Sequence, residues 1–254
     1  MYMKKLIISN WKMNYGPIKA GAWIRAFRRE RLPKDVDIAV AVPFVSLPAA
    51  RASLGRASIP ALSAQDCFWA EEGAYTGEIS ASMLHEFGTE MCLVGHSERR
   101  AFCGETDDMI AKKAGSLQAH NIVPVICVGD TAVQRKKGEH MKVVKAQVAA
   151  AIAMLKADTK IPFVIAYEPV WAIGSGKPCV PQDARDMHVA IRGVLAKKFG
   201  ATTSEKIRII YGGSVDTRNI LEYMTTMGID GALVGGASLD PRNFGLLCRA
   251  AVPA

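Results

Sequence analysis

The feature that most restricts the fold of this chain is an alternation of strand-like and helix-like segments, repeated eight times. Short apolar, β-branched runs stand at Lys5–Ser9, Val36–Val42, Ile59–Ala64, Met91–Val94, Ile122–Val128, Phe163–Tyr167, Ile207–Tyr211 and Gly231–Val234. Between them, helical periodicity occupies Ile18–Arg31, Leu47–Leu54, Ala81–Phe87, Asp107–His120, an Ala-rich stretch broken at Gly138, Asp183–Phe199, Thr217–Met227 and Asn243–Ala251. A strand followed by a crossover helix at roughly 32 residues per unit is the pattern of parallel βαβ units. Eight units, with no Pro-, Gly- or Ser-rich linker between them, predict one α/β domain over residues 1–254. The expected architecture is a (β/α)8 barrel, eight parallel strands inside a ring of helices, in preference to an open doubly wound sheet.

Composition narrows the function. Half of the residues are hydrophobic, which is ample for one large core. The basic opening is followed by only three apolar residues, Leu6 to Ile8, too few for a signal peptide, and no run approaches the ~20 apolar residues of a membrane span. A soluble, cytoplasmic protein with no membrane partner is expected. Six cysteines (67, 92, 103, 127, 179 and 248) include no C-x-x-C pair, and His85-Glu86 and the other histidines give no H-E-x-x-H pattern. Reduced thiols and no metal site are therefore expected, with Cys127 a buried inert thiol. The net charge of +8 suits either nucleic acid or a field that draws in an anionic metabolite. Basic residues occur as scattered doublets without interleaved aromatics, which argues against nucleic acid.

In a barrel of this kind chemistry belongs where strands end. Glu168 ends the sixth run, and the loop Pro169–Cys179 follows at once, with Trp171-Ala172-Ile173 reading as exposed. Pro169 stiffens its start, while Gly174 and Gly176 offer φ freedom and bare N–H groups for an anion. Gly-Ser-Gly-Lys at 174–177 is not a nucleotide P-loop, because the spacing would require Gly at Trp171. Asn10 and Lys12 follow the first run, and Gly95-His96-Ser97-Glu98 the fourth. Ser97 is the expected cap of a short helix whose N-terminus would keep His96 neutral. Gly212-Gly213-Ser214 and Gly235-Gly236 follow the last two runs, where many barrels build a phosphate site. Each residue alone has a purely structural reading: Glu168 as a helix cap, His96 as a satisfied strand-end histidine, Lys12 as a solvated side chain, the diglycines as tight turns.

Taken together they carry a resemblance. Asn10 through Asn14, Ala64-Gln65, Gly73 through Ser80, Val94 through Arg100, Cys127 through Gly129, Ala166 through Lys177, Tyr211 through Val215 and Leu233 through Leu239 resemble, in order, the motifs of the triosephosphate isomerase family. The resemblance implies reversible isomerisation of dihydroxyacetone phosphate and D-glyceraldehyde 3-phosphate through an enediolate, without a cofactor. It implies Glu168 as the base, His96 as the neutral electrophile, Lys12 and Asn10 at the developing oxyanion, and Glu98 anchoring Lys12. Gly174, Ser214, Gly235 and Gly236 would hold the phosphate. Residues 169–179 would form a lid comprising Pro169, Val170, Trp171, Ala172, Ile173, Gly176 and Lys177, with Ile173 able to cover the base. It further implies a homodimer in which residues 65–80 reach the neighbouring copy, with Thr76 at the tip and Gln65, Met13 and Tyr15 near the contact.

Several positions depart from the family pattern: Pro178 and Cys179 in the second lid hinge, Val180 where a capping hydroxyl is usual, Cys103, Asp130 and Tyr15. Two rival readings stay open: a related barrel isomerase of a longer sugar phosphate, and an inactive homologue kept for binding.

Overall fold

The computed structural model describes residues 3–156, 162–173 and 178–252. Eight strands, β1 (Lys5–Asn10), β2 (Val36–Val42), β3 (Ala61–Ala64), β4 (Met91–Val94), β5 (Val123–Asp130), β6 (Val164–Pro169), β7 (Arg208–Tyr211) and β8 (Gly231–Val234), pair in parallel and in chain order, and β8 closes on β1. Around them run α1 (Pro17–Phe27), α2 (Leu47–Leu54), α3 (Ala81–Glu86), α4 (Ser97–Phe102), α5 (Asp107–Ala119), α6 (Ala132–Lys136), α7 (His140–Ala151), α8 (Pro181–Phe199), α9 (Ala201–Ser204), α10 (Ile220–Thr225) and α11 (Pro241–Ala250). The expected single (β/α)8 barrel is the fold observed.

Side-chain alternation divides the core in two. Leu6, Ile8, Met91, Leu93, Val125, Cys127, Val164, Ala166, Ile210 and Leu233 fill the barrel interior. Their neighbours Ile7, Cys92, Val94, Ile126, Ile165, Tyr167, Ile209 and Val234 point outward into the larger cluster beneath the helices. Burial drives the Cys127 thiol well above its ordinary range, as an inert core cysteine requires.

Element ends differ from the sequence reading for local reasons. β3 begins at Ala61 rather than Ile59, because Pro60 has no N–H to give the ladder. The Ala-rich stretch breaks at Gly138, whose φ of +72° suits glycine, and α6 before it carries a full capping box from Thr131 and Gln134. α8 starts on Pro181 with Val180 as its cap residue, whose side chain makes no capping bond.

Candidate active site

The inward rows of the barrel continue past the last apolar layer and change chemistry. Leu6 and Ile8 lead to Asn10, Val164 and Ala166 to Glu168, Ile210 to Gly212, and Leu233 to Gly235. In β4 the row reaches Gly95, whose φ of +72° turns the chain and releases His96; a Cβ there would stand 2.6 Å from Ile110 Cδ1. These rows converge on a cleft of about 310 Å³ lined by Asn10, Lys12, His96, Glu168, Ile173, Gly212 to Asp216, Leu233 and Gly235 to Ala237. A larger hollow of about 410 Å³ opens between residues such as Leu6, Met91 and Phe163 at the strand starts, away from this chemistry.

Glu168 is 2% exposed and has two partners. Its Oε2 accepts the Ser97 N–H at 2.8 Å, and its Oε1 lies 2.9 Å from His96 Nε2. Gly212 makes room for it, since a Cβ at that position would stand 2.9 Å from Glu168 Cγ. The cap of α4 is His96 itself and not Ser97: Nδ1 accepts the Glu98 N–H at 3.3 Å. The strand delivers the imidazole one residue earlier than the Ser-cap preference suggests, and the ring then occupies the capping position. Both contacts are met by a neutral ring carrying its proton on Nε2. Burial lowers the proton affinity of His96, while the Glu168 and Glu98 carboxylates raise it above the ordinary value. That rise belongs to the carboxylate contacts; the Glu98 N–H donated to Nδ1 opposes a second proton there.

Lys12 holds a φ of +53°, uncommon for a residue with a Cβ. Its N–H donates to Asn10 Oδ1 at 2.9 Å, and its ammonium meets Glu98 Oε1 at 2.5 Å. The strained turn therefore aims the ammonium along the cleft wall. Glu98 itself lies in an adjoining hollow of about 260 Å³ that shares Asn10, Lys12 and His96 with the cleft.

At the other end, Ser214, Gly235 and Gly236 border the cleft together. The Ser238 hydroxyl accepts from Ser9 at 2.8 Å and donates to Gly235 O at 2.7 Å, which fixes the second diglycine turn to β1. Asp216 is the acidic residue there. Arg218 pairs with it and holds its carboxyl below the ordinary value.

A family model described as triosephosphate isomerase matches residues 5–251. The chain belongs to the triosephosphate isomerase family. Among its relatives, the triosephosphate isomerase of Streptococcus equi subsp. zooepidemicus (strain MGCS10565) is 43% identical over 246 residues, which cover 96% of this chain and 97% of that protein. That of Streptococcus pyogenes serotype M2 (strain MGAS10270) is 42% identical over 245 residues, with the same coverage.

The loop after Glu168 is described only on its flanks; Gly174, Ser175, Gly176 and Lys177 lie outside the described residues. Val170–Ala172 form a single 3-10 turn, and the stretch that reads as exposed is not: Ala172 is buried, Trp171 and Ile173 half-buried. Beyond the tip, Cys179 N–H donates to the Tyr211 hydroxyl at 3.3 Å, and the Tyr223 hydroxyl donates to Cys179 O. Burial pushes the Cys179 thiol up to about 12. In residues 65–80, Thr76 is exposed and Gln65 Nε2 donates to Ala41 O at 2.9 Å. Met13 is 97% exposed, whereas Tyr15 packs edge-on against Trp11 and donates its hydroxyl to Leu239 O. Among the described residues no group of three or more His, Cys, Asp or Glu side chains is placed to hold a metal ion, and no helix is long and apolar enough to cross a membrane.

Proposed function

We propose that this chain interconverts dihydroxyacetone phosphate and D-glyceraldehyde 3-phosphate. The observation that carries the reading is the 2.9 Å contact of Glu168 with His96, in a cleft that also holds Lys12 and the Ser214, Gly235 and Gly236 turns. Glu168 takes a proton from C1 of the ketone while charge grows on the C2 oxygen. His96 Nε2–H, with Asn10 and the Lys12 ammonium, stabilises that oxygen. The same proton returns at C2, the oxygens exchange theirs through His96, and C1 becomes the aldehyde. No electron leaves the substrate, so the reaction requires no cofactor.

The enediolate phosphate formed on the way would expel its phosphate if water and torsional freedom were allowed. Residues 169–179 suit a lid against this: Ile173 lines the cleft beside Glu168. Gly174 would add its N–H to the phosphate cradle of Ser214, Gly235 and Gly236.

We also infer a homodimer in which Thr76, at the tip of residues 65–80, enters the hollow beside the cleft of a second copy. Supporting it are the exposed Met13 on that hollow and the exposed Tyr75, Met83 and Phe102. Free cysteines at all six positions and charged, membrane-impermeant substrates favour the cytoplasm.

The test is the initial rate on D-glyceraldehyde 3-phosphate, with Glu168→Gln prepared in parallel. A variant about a thousandfold slower supports the base assignment; equal rates refute it. For the dimer, specific activity should fall on dilution through dissociation, and a flat profile would refute the shared site.

A further inference from the structure

Arg135 touches neither the cleft nor any residue assigned a chemical role above. It stands on α6, yet its guanidinium reaches the first flank of the 169–179 loop and the helix that follows the second. Its Cζ lies 4.6 Å from the centroid of the Trp171 ring, on the first flank. Its Nη2 pairs with Asp183, in the first turn of α8 just past the second flank. Its Nη1 is 3.9 Å from Asp130 Oδ2, at the end of β5. Asp130 in turn accepts the Tyr167 hydroxyl at 2.8 Å, and Tyr167 is the residue before Glu168.

The hydrogen-bond accounting around this cation is unusual. Trp171 Nε1 and Asp130 Oδ2 are both buried and without a hydrogen-bond partner among the described residues. The indole thus meets the cation through its ring face, with no directed bond to its N–H among the described residues. A cation over a ring face tolerates sliding of the ring in its own plane, which a directed bond resists. Such a contact keeps the first flank in place while leaving it free to shift.

We propose that Arg135 is a positioning residue that ties the first flank of the loop to the start of α8 through one guanidinium and so sets where Ile173 stands against the Glu168 cleft. The proposal rests on the reading of residues 169–179 as the lid. A lid that grips the phosphate matters only for a substrate that has one, and this separates positioning from general damage to the barrel.

The experiment compares wild type, Arg135→Met, Asp183→Asn and the double variant on D-glyceraldehyde 3-phosphate and on phosphate-free D-glyceraldehyde. Arg135→Met should lower kcat/KM for the phosphorylated substrate about tenfold and leave turnover of glyceraldehyde unchanged. Asp183→Asn should act in the same direction, and the double variant should be no slower than Arg135→Met alone, because both remove one clasp. Unchanged kinetics in both single variants, or an equal fall on both substrates, would overturn the proposal. Should Arg135→Met fail to fold, Asp183→Asn, whose side chain reaches solvent, carries the same comparison. Glu168→Gln completes the set. If it stays active, the lid-and-base reading has failed; if it is inactive while the clasp variants match wild type, only the clasp has.

Discussion

Helix α4 stands between two sets of buried and half-buried ionisable side chains, built on opposite terms. On one side Asp66 and Glu105 meet Lys113 and Arg99: two carboxylates with two cations. Lys113 Nζ lies 2.7 and 3.0 Å from the Asp66 oxygens and also pairs with Glu105. Arg99 reaches Asp66 at 2.8 Å and Glu105 at 2.6 Å. On the other side Glu168 has an imidazole and one backbone N–H, while the nearby Lys12 directs its ammonium to Glu98. Buried charge that is matched by cations holds loops and helices together. Buried charge left with exchangeable partners remains available for chemistry.

The sharpest way to break this comparison is to unbalance the matched set. Lys113 is 3% exposed, and Lys113→Met would leave two buried carboxylates sharing one guanidinium. Breaking a buried pair on one side costs about 3–5 kcal/mol. The expected result is that loss in denaturant titration at fixed protein concentration, with turnover per folded molecule unchanged. A loss of turnover without loss of stability would mean that the two sets are one.

The mirror-image change is His96→Gln. It should lower kcat about 100- to 1000-fold and cost no more than about 1 kcal/mol of stability, the value of the α4 cap that His96 provides. Steady-state rates and melting curves on the same samples decide it. A large stability loss would place His96 with the structural set.

A third case is burial without charge. His188 is 1% exposed, lies 2.9 Å through Nδ1 from Gly228 O, and is driven by burial down to about 4. It is neutral in the fold, whereas the unfolded chain takes up a proton below pH 6.5. Its contribution is therefore complete above that pH and lost as pH falls toward 4, by about 3 kcal/mol in all. His188→Gln should flatten that part of the stability profile; an unaltered slope would show that the imidazole titrates normally.

These contrasts mark what was legible in the sequence. Strand positions and the mouth residues could be read because alternation fixes which residues share a row: Leu6-Ile8-Asn10 and Val164-Ala166-Glu168 need only parity. The matched set could not be read that way. Arg99, Glu105 and Lys113 lie close in sequence but on α4, the turn after it and α5, so that no single strand or helix period relates them, and Asp66 joins them from after β3. One signal was present: Ile110, Lys113, Ala114 and Leu117 share the buried stripe of α5, so a lysine sat where helical spacing demanded an apolar side chain. Arg135 gave none, since α6 has no buried residue and its contacts with Trp171 and Asp183 are to distant segments. The Ser97 cap failed by one residue, because capping preference identifies a residue type and not where the strand ends.

The smallest expected effect tests whether the two carboxylates of the matched set are equivalent. Glu105 takes hydrogen bonds from both cations, which hold its carboxyl below the ordinary value against burial. For Asp66 burial outweighs Lys113 and Arg99, and with the Glu105 charge beside it the carboxyl rises to about 6. An acid whose folded value exceeds its unfolded one is held at a cost when ionised. Its effect on stability is thus most unfavourable above pH 6 and is relieved as pH falls toward 3.8. Asp66→Asn removes that charge but keeps an acceptor for Lys113, so at pH 7 it should cost about 1 kcal/mol or less. Below pH 6 the wild type recovers stability that the variant cannot, and the variant should fall progressively behind. His188 titrates in both proteins and cancels from the difference. If instead Asp66→Asn cost as much as Lys113→Met at pH 7, with a difference independent of pH, Asp66 would be as firmly ionised as Glu105. The matched set would then consist of two equivalent pairs, and its contrast with Glu168 would be sharper still.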